Sequence, residues 1–107
     1  MPIHERHPEP ALSGDALRRA VRESVGKHVD LSCYQVFLFG SEATHTSDRA
    51  SDIDVGVLGP SPIPGAVVER IRQELQQLRT LRVFDVVDFC GVDSSFRVQA
   101  LEHAERL

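Results

Sequence analysis

The chain has 107 residues, 41% of them apolar, and a formal net charge of −4. That length fits one domain with a single modest core. The acidic balance and the absence of Trp disfavour stand-alone nucleic-acid binding, which rests on a basic footprint and stacking surfaces. No apolar run approaches the roughly 20 residues of a membrane span.

Residues 1–12 are rich in Pro, His and charge, and Pro2, Pro8 and Pro10 argue against regular structure there. They read as a flexible tail, with the domain at 13–107. His4 and His7 have no further ligands nearby in sequence and read as solvated. The tail lacks the apolar core of a signal peptide, so the expected compartment is the cytoplasm. Ser13 suits a helix N-cap and Asp15 the first turn. Leu17, Ala20, Val21, Val25 and His28 then share one helical face. Arg18, Arg19, Arg22, Glu23 and Lys27 mostly occupy the other, a solvated face.

Residues 33–39 form the first expected strand, closing on the apolar run 36–39. Gly40 and Ser41 break it. A short helical turn and a polar loop follow to residue 50. His45 there reads as a solvated loop residue rather than a general base, and Asp48 and Arg49 as loop surface. Ser51, Asp52, Ile53 and Asp54 lead into the apolar run 55–58, the second strand. Gly59, Pro60, Ser61 and Pro62 are a breaker cluster. A helix is expected over 64–80, with Ile63, Val67, Ile71, Leu75 and Leu78 as its core-facing stripe. The third strand spans 82–89. Asp93 or Ser94 caps a final helix, whose inner face is Phe96, Ala100, His103 and Leu107, with Val98 and Leu101 alongside. The sheet edge beyond it is expected to be missing or supplied by a partner. Cys33 and Cys90 both fall in expected strands and read as buried free thiols of a reducing compartment.

The chemistry centres on residues 40–54. On a strand, side chains alternate, so Asp52 and Asp54 face one way with Ile53 opposite. Paired like charges at a strand entering a core call for a cation. Mg²⁺ takes one or two carboxylates, with waters and substrate phosphates completing its shell. A Gly at a strand end lets backbone N–H groups approach a phosphate, and the Ser41 hydroxyl adds a donor. In the third strand, alternation allows only one of Asp85 and Asp88 to face this cluster.

Gly-Ser, ten residues, then Asp-x-Asp resembles the signature of the minimal nucleotidyltransferases in the DNA polymerase beta superfamily. Gly40, Ser41, Asp52 and Asp54 match it. Phe-Asp-Val-Val-Asp-Phe at 84–89 resembles the later strand of that family, whose third carboxylate falls on Asp85. The resemblance covers nearly the whole chain.

It implies an α/β (α+β) nucleotidyltransferase fold: a mixed sheet of three to four strands with helices packed mainly on one face. The expected order is helix, strand, short helix, strand, helix, strand, helix. It further implies transfer of a nucleoside monophosphate to a hydroxyl acceptor, from ATP or another nucleoside triphosphate. Two Mg²⁺ ions roughly 4 Å apart would serve the attacking and leaving oxygens. Asp52 and Asp54 would bridge them, Asp85 would hold the one nearest the acceptor, and Gly40 and Ser41 would fix the phosphates.

A domain this short has little material for an acceptor pocket. Small members of the family pair with a separate HEPN-like helical substrate-binding protein in a hetero-oligomer. Some are antitoxins that add AMP to a toxin partner. Two departures stand out: Glu42 replaces the family's usual Arg, and Thr44, His45 and Thr46 stand where a Gly is common. A charge about 6 Å from the triphosphate is worth about 3 kcal/mol at an effective dielectric of 20. Glu42 therefore also suits a rival reading, a catalytically weak or inactive module that masks its helical partner. The three clustered aspartates favour the enzyme.

Overall fold

The structure is a computed structural model and describes residues 14–39, 52–80 and 82–107. The tail, His4 and His7, the Ser13 cap, Gly40, Ser41, Glu42, the helical turn and the loop with His45, Asp48 and Arg49 lie outside the described residues. Three helices and four strands follow in the order α1 (Gly14–Gly26), β1 (Gln35–Phe39), β2 (Ile53–Leu58), α2 (Gly65–Leu75), β3 (Phe84–Asp88), α3 (Ser94–Glu102) and β4 (Glu105–Arg106).

The strands form one mixed sheet in the order β3-β2-β1-β4. β1 pairs antiparallel with β2 and with β4, while β2 pairs parallel with β3. A parallel pair needs a crossover, and α2 supplies it. Alternation along the strands then makes two unlike faces. On the back face Val36, Leu38, Ile53, Val55, Val57 and Phe84 pack with Leu17, Val21 and Val25 of α1 and with Ile63, Ile71 and Leu75 around α2. Each such side chain, nearly or fully buried, contributes about 1.5–3 kcal/mol of transfer free energy. The stripes read from the sequence on α1 and α2 are the ones that pack here; Val67 and Leu78 line the rim of this core.

The front face carries Phe37, Phe39, Asp54, Gly56, Asp85 and Phe89. Phe89 is fully buried because Gly56 leaves room for its ring. A Cβ built on Gly56 would lie 2.3 Å from the Phe89 ring. Phe89 also meets Phe39, with centroids 5.3 Å apart, and Phe37, at 6.2 Å. Two side chains of α3 reach this face. Phe96 meets Phe39 edge-on, and the Arg97 Nη1 donates to the Phe89 carbonyl.

Several expectations are corrected. The helix expected over 64–80 ends at Leu75, so Leu78 lies beyond it. Cys33 is exposed, because the chain turns at 30–33 before β1 begins. Asp30 organises that turn, its Oδ1 accepting from the Ser32 N–H at 2.9 Å and its carbonyl from the Cys33 N–H. Cys90 is half-buried just after β3; both thiols are free. The final helix ends at Glu102, not at Leu107, and none of its residues is buried. His103 is exposed. The sheet edge is neither missing nor left to a partner. Glu105 and Arg106 pair with Leu38 and Phe37, the Leu107 N–H donates to the Val36 carbonyl at 2.8 Å, and the Leu107 side chain joins the back core. Pairing satisfies β1 backbone groups that a longer helix would leave open. Arg18 of α1 ties β4 in place, its Nε donating to the Glu105 Oε2 at 2.7 Å.

Among the described residues, no helix is long and apolar enough to cross a membrane. Gly56→Ala should lose about 1–3 kcal/mol of stability through overpacking against Phe89, read as a lower midpoint in urea denaturation. An unchanged midpoint would mean the front-face packing is looser than described.

Candidate active site

Asp54 is the second residue of β2, between fully buried Ile53 and Val55. Those neighbours point into the back core, so Asp54 faces front. The register places it beside Phe39 of β1 on one side and Asp85 of β3 on the other. Asp52, two residues earlier, shares its face by alternation and stands just outside the strand, exposed. The Ile53 N–H donates to the Val83 carbonyl at 2.8 Å, which fixes β3 against the entry of β2.

Asp54 is half-buried and its carboxyl is raised above the ordinary carboxylate range. Burial is the largest cause, followed by the charges of Asp85 and then Asp52. The charges of Asp85 and Asp52 thus both reach Asp54. The three aspartates do not form a closed cage: among the described residues, no group of three or more His, Cys, Asp or Glu is placed to hold a metal by itself. Carboxylates open to solvent on one side suit a cation that arrives with phosphates and waters as its remaining ligands.

Asp85 and Asp88 lie on opposite faces of β3. Asp85 is exposed on the front, in register with Asp54. Asp88 serves the backbone instead. Its Oδ2 accepts from the Ile63 N–H at 2.9 Å and its Oδ1 from the Cys90 N–H at 3.0 Å, bracing the entry to α2 and the turn after β3. Arg72 on α2 pairs with Glu69. Glu69 is the main cause of its raised guanidinium, and the Asp85 charge adds to it. Gly40 and Ser41, the expected phosphate cradle, lie outside the described residues.

Three features of the site were not read from the sequence. Gly56 continues the period-two series Asp52, Asp54, Gly56, and that spacing alone places it on the front face. Phe39 alternates with Leu38, which puts its ring beside Asp54. Phe96 was assigned to an inner helical face, and its contact with Phe39 needs the tertiary fold.

Residues 26–107 match the family model described as polymerase beta, nucleotidyltransferase. No curated protein matches the chain. Among solved structures, a toxin-antitoxin with AMP-PNP is similar over 82% of this chain and 69% of its own, at 20% identity and a TM-score of 0.68. A tri-AMPylated Shewanella oneidensis HEPN toxin in complex with MNT antitoxin is similar over 86% of this chain and 69% of its own, at 16% identity and a TM-score of 0.64. A further Shewanella oneidensis structure covers 89% of this chain and 71% of its own, at 16% identity and a TM-score of 0.67. At such identities the likeness is one of fold. The family match spans all four strands and every aspartate of the site: the chain belongs to the polymerase beta nucleotidyltransferase family.

Proposed function

We propose that the protein transfers AMP from ATP to a hydroxyl acceptor presented by a separate helical subunit, and that it is the antitoxin of a HEPN-type toxin partner. The observation that carries this reading is the register pairing of Asp54 with Asp85 on the face away from the core, with the Asp54 carboxyl raised by burial and by its two neighbours. Family membership supports the reaction class. The likeness to a toxin-antitoxin with AMP-PNP and to a complex of MNT antitoxin with an AMPylated HEPN toxin supports the donor and the partner. Two free thiols suit a cytoplasmic setting.

In the reaction the acceptor oxygen bonds to the α-phosphorus, the bond to the bridging oxygen breaks, and pyrophosphate leaves. Asp85, exposed at the sheet edge, would take the acceptor's proton. Asp52 and Asp54 would meet the donor through the cation they hold, and Gly40 and Ser41 are assigned to the β- and γ-phosphates by resemblance. The donor set suits Mg²⁺ in kind: hard carboxylate oxygens, Asp54 and Asp85 in register on neighbouring strands, with phosphates and waters left to complete the shell. Asp52, Asp54 and Asp85 would hold the metal, which when bound offsets the negative charge gathered around the α-phosphate.

ATP labelled at the α-phosphate tests the reading, with the full chain and its co-purified helical partner. Label should move to the partner. Asp54→Asn and Asp85→Asn should each reduce transfer by on the order of 10²–10³-fold, as for other losses of charge stabilisation at a reacting centre, with unchanged circular dichroism. Near-normal transfer by Asp54→Asn would sink the assignment, and silence from the intact protein would favour the masking module. Asp88→Ala should do the reverse, keeping its transfer rate while losing about 1–3 kcal/mol of stability from two unpaired backbone donors.

The raised Asp54 carboxyl has a signature in stability. A carboxyl raised on folding stabilises the fold when protonated; that contribution is full below the unfolded value and is lost as pH rises through the folded one. Asp54→Asn carries no charge at any pH. In chelator it should therefore melt above the wild type at pH 7, with the gap closing as pH falls through the raised folded-state value and gone below about 3.9. Adding Mg²⁺ and ATP should raise the wild-type melting temperature and leave the variant nearly unmoved. Equal melting temperatures at pH 7 in chelator would remove the charge from the account.

A further inference from the structure

The large exposed apolar side chains among the described residues are Val83, Phe96 and Val98. They do not make one patch. Val83 precedes β3, and Phe96 and Val98 stand two residues apart on α3, about 200° around the helix. A shared docking face does not explain Phe96, so its own surroundings must.

Those surroundings lead to the carboxylates. The Phe96 ring meets Phe39 at right angles, with centroids 6.3 Å apart. Phe39 is nearly buried and is the register partner of Asp54. Phe39 in turn rests on Phe89, which is fully buried over Gly56. The Arg97 side chain holds the start of α3 to the Phe89 carbonyl. Phe96 is therefore the outermost ring of a braced aromatic series that begins under the sheet's front face and ends beside the site. It remains 43% exposed, although nothing in the core requires it to be aromatic.

We propose that Phe96 is the platform on which the base of the nucleoside triphosphate stacks. The proposal rests on the nucleotidyl-transfer reading and adds the residue that receives the base. With the α-phosphate at Asp52 and Asp54, the base extends away from the carboxylates, and Phe96 stands one ring beyond Asp54's neighbour. Stacking accepts every base, because each has a π-face. Selection among triphosphates at this residue is accordingly modest and favours the larger purine rings.

The chain has no Trp, so Phe96→Trp introduces a single reporter. The full chain carrying it is titrated in Mg²⁺ with ATP and, separately, with inorganic tripolyphosphate, which has the phosphates and no base. ATP should quench the fluorescence and tripolyphosphate should leave it nearly unchanged. Phe96→Ala should raise the KM for ATP about 10-fold, within the range of base-aromatic stacking, with kcat within about twofold and an unchanged melting temperature. Phe96→Tyr should restore the KM. Equal quenching by tripolyphosphate, no quenching by ATP, or an unchanged KM in Phe96→Ala would each overturn the proposal. An unchanged KM together with transfer that still depends on Asp54 would remove the platform and leave nucleotidyl transfer standing. Transfer that survives Asp54→Asn would remove the underlying reading instead.

Discussion

Ile53, Val55 and Val57 are fully buried against α1 and α2, and their burial decides which way Asp54 faces. A one-residue slip in β2 would carry three aliphatic side chains to the front and push Asp54 into the core. The loss of apolar burial and the desolvation of a carboxylate both oppose that slip. The back core thus acts as a register lock for the front face. Parallel pairing with β3 extends the lock to Asp85, since Val55 beside Val86 and Ile53 beside Phe84 leave Asp54 beside Asp85.

The same arrangement is unfavourable taken alone. It places three like charges on one face and partly desolvates the central one, the opposite of what stability asks of a sheet surface. The molecule tolerates this because the stabilising contacts lie elsewhere. They are the aliphatic core on the back, the aromatic packing of Phe37, Phe39 and Phe89 below the carboxylates, and the brace of Asp88 to Ile63 and Cys90. Two aspartates three residues apart on the same strand region therefore have opposite duties. Asp88 lowers the energy of the fold through two backbone donors, while Asp85 adds to the repulsion that a bound cation would relieve.

Period and alternation made much of this legible before any coordinates. The α1 and α2 stripes, the shared face of Asp52 and Asp54, and the separation of Asp85 from Asp88 all follow from local geometry. What escaped depends on contacts distant in sequence. Glu105 and Arg106 have no strand pattern of their own; they are a strand because β1 offers an unpaired edge and Arg18 receives Glu105. Leu107 fell at a helical spacing from Phe96 by coincidence, and the core claimed it from another direction. Cys33 was misplaced for a local reason that was available: Asp30 followed by Ser32 is an Asx-turn signal, and it outweighed the apolar run behind it. The Gly40 and Ser41 cradle lies outside the described residues, so that half of the signature rests on resemblance.

Charge balance sets how such a site can hold a triphosphate. The chain is acidic overall, and the front face is acidic locally, with Asp54 beside Asp85. Arg72, the cation whose charge reaches Asp85, is already paired with Glu69. On the proposed reading, a divalent ion held by the carboxylates would offset part of the donor's charge. An ion bound jointly by carboxylates and phosphates couples the two: each ligand set raises the affinity of the other by the same factor. Within that balance the base is the one uncharged part of the donor. Stacking on Phe96 adds affinity without adding to the charge that the aspartates already oppose.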